Sequence, residues 1–414
     1  MTVIRRFLSV LAASSLVVGV AMAQQTPTPQ PDMPTPDAKP TPSMPDVPVP
    51  PPPEFNARAW VLMDYDSGRL LVSHNPDQRE TPASLTKLVN AYVVGSALKA
   101  GKVKWDQPVF VSTHAWKKGG GGTDGSTSFL KVHSKVPLDD LLKGMLVQSG
   151  NDAAIALAEA VGGSEQGFAS LMNAYAQRIG MTGSHFTDAS GYPSPDHYST
   201  AHDIARVTRA LIRDFPRIYA IAKLKSFTWN GIKQGNRNLL LWRDPTVDGA
   251  KTGHTADAGY CLDASAKRDG MRLIAVVMGS PSEQARASDA EALLNYGFSF
   301  FTHHTLYKAG KPLATPRLWK GQDNKLPIGV TDDVQVTIKR GDYKNLKATV
   351  DIPGTLVAPY KKGQKVGTLH VTLDGKPLLD RPLVALSDAP QGGFFKRLWD
   401  AIVLWFHHLG GSKH

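Results

Sequence analysis

Pro82-Ala83-Ser84-Leu85-Thr86-Lys87-Leu88, continuing to Leu98, is the stretch on which the reading of the chain turns. Leu85, Leu88, Val89, Tyr92 and Val93 recur at helical spacing and Pro82 is a helix-start residue. The spacing predicts a helix with Ser84 and Lys87, three apart, on one exposed or cleft-facing side. A hydroxyl and an amine then meet across one turn. Serine is a poor nucleophile until a base takes its proton, and lysine can be that base only where burial or nearby positive charge lowers its pKa. Alone the pair is weak, since roughly one or two Ser-x-x-Lys pairs arise by chance in a chain this long, and Ser128 with Lys131 makes another here.

Working outward, 414 residues leave room for two or three folded units, and 42% hydrophobic with 20% charged residues is ordinary for a globular protein. Residues 1–23 read as a secretory signal: Arg5 and Arg6, an apolar run from Phe7 to Val20, then Ala21-Met22-Ala23 before Gln24. That run falls short of the about 20 residues a membrane span needs. Residues 24–53, rich in Pro, Thr, Asp and Val, cannot build a core and read as an extended linker. Cys261 stands alone, so no intramolecular disulfide forms. The net charge of +11 favours anionic surroundings such as phospholipid or wall polymers. Export and the lack of a clustered basic helix argue against nucleic acid.

Ala59 to Tyr65, a turn at Asp66-Ser67-Gly68 and Arg69 to Ser73 read as a hairpin; Gly259 to Ala266, a turn over 267–270 and Met271 to Met278 read as a second. The middle is helical in pattern. This predicts an α+β fold: an antiparallel sheet closed by sequence-distant strands, packed with helices and accompanied by a helical subdomain. Within the middle, Leu138 to Gln148 and Asp152 to Val161 are helical runs broken at Ser149-Gly150-Asn151, which leaves the Ser149 and Asn151 side chains at the turn. Lys251-Thr252-Gly253 precedes the second hairpin, where an ammonium, a hydroxyl and a side-chain-free backbone could meet a carboxylate.

Ser84-Leu85-Thr86-Lys87, then Ser149-Gly150-Asn151, then Lys251-Thr252-Gly253 is the combination found in penicillin-binding proteins and class A β-lactamases. With the flanks Gly150-Asn151-Asp152-Ala153-Ala154, Val247-Asp248-Gly249, Gly191-Tyr192-Pro193, His197 to Asp203 and Gln234 to Leu240, the chain resembles the serine-type D-alanyl-D-alanine carboxypeptidases, the low-molecular-weight penicillin-binding proteins of peptidase family S11. The likeness is dense over 57–301. It implies the penicillin-binding protein/β-lactamase-like transpeptidase fold. It also implies a stem peptide ending in D-Ala-D-Ala as substrate and β-lactams as covalent inhibitors. Ser84 would attack, Lys87 would take its proton and Ser149 would relay one to the leaving amine. Asn151 would hold the substrate amide; Lys251, Thr252 and Arg286 would hold the terminal carboxylate. The N–H groups of Ser84 and of a residue after Gly253, at His254, would form the oxyanion hole. A β-lactamase and a wall-binding scaffold with a vestigial site are the alternatives, and the absence of Glu-x-x-Leu-Asn after Ser149 weighs against the first.

The remaining expectations are structural. His254 reads as a packing or backbone-positioning residue, and His197 and His202 as bonding within their own segment. No histidine or cysteine spacing suggests a metal, and no cofactor is implied. Gly119 to Gly122 reads as a lip of the cleft or a plain loop. The catalytic domain is placed at 54–305 and a small all-β domain at 306–388, with strands at Val334 to Lys339, Leu346 to Ile352 and Val366 to Leu373. The tail, 392–410, reads as an amphipathic helix, too short and too charged to span a bilayer comfortably but suited to lie on anionic lipid.

Overall fold

Ala59-Trp60-Val61-Leu62-Met63 is apolar without alternation because the strand it forms is covered on both faces. The structure, a computed structural model, describes residues 49–120 and 125–410. The expected signal, residues 24–48 of the linker, and residues 121–124, which include Gly121 and Gly122 of the expected lip, lie outside the described residues. Strand β1 (Ala59–Asp64) pairs with β2 (Leu70–His74), and three strands from far along the chain complete the sheet: β3 (Val247–Thr255), β4 (Gly259–Arg268) and β5 (Met271–Ser280). The order is β2-β1-β5-β4-β3, antiparallel throughout. Sequence-distant closure is as expected. The second hairpin differs in detail: its strands run two residues further and its turn shrinks to Asp269-Gly270, at φ +47° and +87°, values that suit a two-residue hairpin loop.

Ala59, Val61 and Met63 face a core shared with the helices Thr86–Lys99, Asn151–Gly162, Glu165–Arg178 and Ala201–Asp214. Trp60 and Leu62 face a second core closed by the helix Glu283–Phe300. The last residues of the expected linker belong to this side, where Val49 packs and Tyr296 donates a 2.9 Å hydrogen bond to Pro50 O.

One group in the sheet is out of place by charge. Asp263 on β4 is fully buried, receives a hydrogen bond from the Thr208 hydroxyl, and has no partner for its other oxygen. Burial pushes its carboxyl up to about 8. Because the folded-state value is raised, the contribution is full below the ordinary carboxylate range and is lost as pH climbs toward 8. Asp263→Asn is therefore expected to stabilise the fold near pH 8 by on the order of 3 kcal/mol and to flatten the pH dependence of the denaturant midpoint between about 4 and 8.

Beyond the sheet, Phe301–Tyr307 pairs with Val334–Lys339, so a strand runs through the expected junction at 305/306. A second antiparallel sheet has the order Pro312–Ala314, Ile328–Gly329, Lys376–Ala385, Lys365–Leu373, Leu346–Asp351, which makes the C-terminal region all-β. The strand Lys376–Ala385 escaped the sequence reading because it contains Pro377 and Pro382, residues that ordinarily argue against an interior strand.

The tail forms the helix Phe394–Gly410. Asp400 is buried and accepts from Lys320 N at 2.7 Å and Lys396 Nζ at 2.5 Å, which holds the polar side of the helix against the β module. Phe394, Phe395, Leu398, Trp399, Trp405 and Phe406 are left exposed. Among the described residues no helix is long and apolar enough to cross a membrane.

Candidate active site

Ser84 sits in a 3-10 turn, Ala83–Leu85, that feeds the helix Thr86–Lys99. Ala83 is fully buried with φ +47°, a left-handed conformation that costs a residue with a side chain of order 1 kcal/mol. The turn is held from outside: Gly191, φ +96°, passes so close that a Cβ there would stand 1.9 Å from Ala83 O, and a Cβ on Gly253 of β3 would stand 2.9 Å from Pro82 O. Both positions bring backbone against the serine turn, which is why neither carries a side chain.

The helix departs from the expected amphipathic pattern. Every residue from Thr86 to Gly95 is buried, because the helix runs between the sheet and the helical subdomain with its whole circumference covered. Only Ser84 reaches the cleft, and Lys87 has no solvent exposure. Buried polar side chains bind the helix to its surroundings. Asn90 Nδ2 donates to Ala154 O at 3.1 Å and to Ala189 O at 3.0 Å. The Thr86 hydroxyl lies 2.8 Å from His197 Nε2. His197 thus reaches across the fold, as does His202, 3.0 Å from Asp77, so the expectation that both bond within their own segment is corrected.

Three oxygens surround Lys87 Nζ: Ser84 Oγ at 2.9 Å, Asn151 Oδ1 at 2.7 Å and the backbone carbonyl of Ser190 at 2.7 Å. Asn151 opens the helix Asn151–Gly162, and the break before it is made by Ser149 in the left-handed conformation, φ +70°. The Ser190 carbonyl is fixed by Asp188, whose carboxylate accepts from Ser190 N at 2.7 Å, Gly191 N at 2.7 Å and Tyr192 N at 3.2 Å, and lies 3.3 Å from His197 Nδ1. Burial opposes ionisation of Asp188, but His197 and the N–H groups of Ser190 and Gly191 outweigh it and hold the carboxyl well below the usual range. Burial lowers the Lys87 ammonium to about 7, with Asp188 and Asp152 resisting and Arg237 reinforcing the shift.

A cleft of about 550 Å³ opens on Ser84 and is also lined by Ser149, Asn151, Tyr192, Arg237, Thr252 and His254. Gly253 and Arg286 line it as well, whereas Lys251 lies beneath it with 2% of its surface exposed. Lys251 Nζ donates to Thr252 O at 3.0 Å, and burial, then Lys87, Arg237 and Arg286, push its pKa well down. Arg286 spends part of its guanidinium on the fold, donating to Gly253 O at 3.1 Å and pairing with Glu283 at 3.0 Å. The His254 ring stacks on Tyr260, centroids 4.1 Å apart, which fits a packing role. All nine expected site residues thus gather at or just under one cleft, while the rival pair parts from it: Ser128 is buried beside Gly150 and Lys131 is exposed.

The sequence reading gave no site role to Ser190, Tyr192, Asp188 or Arg237. Gly191-Tyr192-Pro193 and the stretch around Arg237 carried a signal as family-like segments, but a backbone carbonyl such as Ser190 O leaves no trace in residue identity. Tyr192 accepts from Asn151 Nδ2 at 3.2 Å and donates to Lys118 O; Arg237 donates to Ser126 Oγ at 2.8 Å. Among the described residues one group brings three metal-ligand-type atoms within 4.8 Å, Asp64, Asp66 and His303, a clustering across distant segments that spacing could not reveal. The Asp64 oxygens there are engaged by Ser67 and by Thr337 at 2.6 Å, joining the first hairpin turn to the β module.

Residues 46–282 match the family described as D-alanyl-D-alanine carboxypeptidase, peptidase S11, and residues 301–391 match the family described as penicillin-binding protein 5, C-terminal domain. The D-alanyl-D-alanine carboxypeptidase DacC of Escherichia coli K12 is 47% identical over 363 residues, 87% of this chain and 91% of its own. Penicillin-binding protein 5 from Haemophilus influenzae superposes with a TM-score of 0.76 at 41% identity, covering 83% of this chain and all of that one. Penicillin-binding protein D2 from Listeria monocytogenes in its cefotaxime-bound form, 29% identical, matches with a TM-score of 0.55 over 60% of this chain and all of that one. A buried lysine against a serine in an electropositive cleft, on this fold and at this identity, places the chain in the peptidase S11 family of D-alanyl-D-alanine carboxypeptidases.

Proposed function

We propose that this chain removes the terminal D-alanine from peptidoglycan stem pentapeptides through an acyl-enzyme on Ser84 and is acylated at the same hydroxyl by β-lactams. The observation that carries the mechanism is the environment of Lys87 Nζ. A neutral amine has two N–H bonds and one lone pair. Two of its three neighbours, Asn151 Oδ1 and Ser190 O, are carbonyl oxygens that can only accept. The two N–H bonds go to them, and the lone pair is left facing the Ser84 hydroxyl at 2.9 Å. Ser84 Oγ then attacks the carbonyl carbon of the penultimate D-alanine as its proton passes to Lys87. The C–N bond breaks with a proton delivered to the leaving amine through Ser149, and water later cleaves the ester.

The rest of the cleft fits the substrate's charge. Arg237 and Arg286 line it and Lys251 lies just beneath, against the single carboxylate among the described lining residues, Glu283, itself paired with Arg286. Lys251, Thr252 and Arg286 form the grip on the terminal carboxylate, Asn151 holds the substrate amide, and the N–H groups of Ser84 and His254 form the oxyanion hole. Among the described lining residues no second carboxylate is placed to activate a deacylating water, and the β-lactam ester is expected to persist rather than turn over.

Mass spectrometry of pentapeptide muropeptides after incubation with the full chain tests the reading. The expected result is the loss of one D-alanine, absent with Ser84→Ala. Unchanged pentapeptide would overturn it in favour of a scaffold, and rapid consumption of penicillin would favour a β-lactamase. The lowered Lys87 value adds a pH prediction. Neutral amine accumulates as pH rises through about 7, so the acylation rate should climb about tenfold per unit below that and level off above it. A stopped-flow β-lactam titration that is flat from pH 5 to 9 would remove Lys87 as the base.

We further infer that the protein is exported and attached peripherally to the outer face of the cytoplasmic membrane. Support comes from the tail helix, which turns its Asp400 side to the β module and its Phe and Trp side chains outward, an arrangement suited to the lipid interface.

A further inference from the structure

The largest cavity among those described, about 780 Å³, shares no residue with the cleft. It opens at the far end of the serine helix, which at 14 residues is about 21 Å long. Five cations line it, Lys99, Arg178, Arg206, Arg209 and Arg213, against one carboxylate, Asp214. Some of this charge has an internal explanation. Arg206 pairs with Asp203 at 2.7 Å, Arg213 pairs with Asp214 at 2.7 Å, and Lys99 and Arg178 stand in the last turns of their helices, where cations complement the helix dipole.

Arg209 has no carboxylate hydrogen-bonded to it. It stands mid-helix and half-buried, and its guanidinium donates to the backbone carbonyls of Tyr65 and Asp66 rather than to any carboxylate. The carbonyls are neutral, the carboxylates of Asp64 and Asp66 act on its charge without a hydrogen bond, and Arg213 opposes it. Arg206, Arg209 and Arg213 follow at intervals of three and four, so one helix face delivers three guanidinium groups to one cavity. Guanidinium forks match phosphate oxygens geometrically, and a surplus of several positive charges is neutralised by a multiply charged anion rather than by a lone carboxylate.

We propose that this cavity binds a phosphate-bearing anion of the pyrophosphate or phosphodiester class, with Arg209 as its central contact and Lys99 and Arg178 at its rim. Its source is either a soluble phosphate compound or a lipid headgroup.

Sodium pyrophosphate titrated into the full chain at fixed ionic strength tests the proposal by calorimetry. Saturable binding is expected, weakened at least tenfold in the double variant Lys99→Gln/Arg178→Gln, whose exposed side chains carry no hydrogen bond among the described residues and whose loss leaves the fold intact. Arg209→Gln should weaken it further, and a thermal melt establishes that this variant folds. D-alanine release should be unchanged in the double variant, since none of these residues lines the cleft. Flotation with phosphatidylglycerol vesicles separates the sources. A defect of the double variant relative to the wild type in both assays assigns the headgroup, and a defect with pyrophosphate alone assigns a soluble ligand. Equal binding by wild type and double variant in both assays would overturn the proposal.

Discussion

Lys87→Ala is expected to slow acylation of Ser84 by a labelled penicillin about 10³-fold or more while leaving the fold in place. The size follows from what is lost: general-base assistance contributes typically 10²–10⁴-fold, and no second group contacts Ser84 Oγ among the described hydrogen bonds. Retention of the fold follows from the sign of the lysine's own contribution. Its pKa falls from the ordinary value to about 7 on burial, so the unfolded chain holds the proton more tightly and the side chain costs stability at neutral pH. Alanine removes that cost and opens a small cavity, two effects of opposite sign. The wild type should gain stability as pH rises from about 7 toward the ordinary lysine value, and Lys87→Ala should lose that slope. Penicillin labelling at the wild-type rate would exclude Lys87 as the base. An unfolded variant would instead show that its three hydrogen bonds hold the helix ends together.

What could be read in the chain beforehand divides along physical lines. Ser84 and Lys87 were legible as a candidate pair because a nucleophile and its base demand particular side chains, whereas Ser149, Asn151, Lys251 and Thr252, read singly as a turn and a strand end, stood out only through the order of the three motifs and the family they resemble. The sheet was legible in outline because hairpin turns such as Asp269-Gly270 have local signatures. The burial of Lys87 was not. Helical spacing records which positions are apolar, and a helix covered on every side looks amphipathic when its buried face includes Thr86, Lys87 and Asn90. The Ser190 carbonyl and its Asp188 brace were invisible for a different reason. Their function lies in where backbone groups point, which is decided by a carboxylate two residues earlier and a histidine seven residues later.

Asp188→Asn tests that brace and should affect stability and catalysis separately. In the protein Asp188 Oδ1 accepts from Ser190 N, Ser190 Oγ and Gly191 N, and Oδ2 faces Tyr192 N and His197 Nδ1. An amide can keep the first set through its oxygen, but its NH₂ then points at the Tyr192 N–H, donor against donor. The Tyr192 N–H, left with only its longer 3.4 Å contact to the remaining oxygen, and the lost charge together should cost about 2–4 kcal/mol. The carboxyl's folded-state pKa is depressed, so its contribution is present above the ordinary carboxylate range and lost as pH falls below it. The variant should therefore be less stable at neutral pH and should shed part of the acid-induced loss seen in the wild type. Catalysis supplies the second readout. Asp188 is the leading group that holds the Lys87 pKa up against burial. Without its charge the amine gives up its proton more readily, and the rising limb of the acylation profile should move to lower pH. A merely structural Asp188 would lower the amount of folded enzyme without moving that limb, and a limb unmoved at about 7 in folded Asp188→Asn would show that its charge does not reach the base.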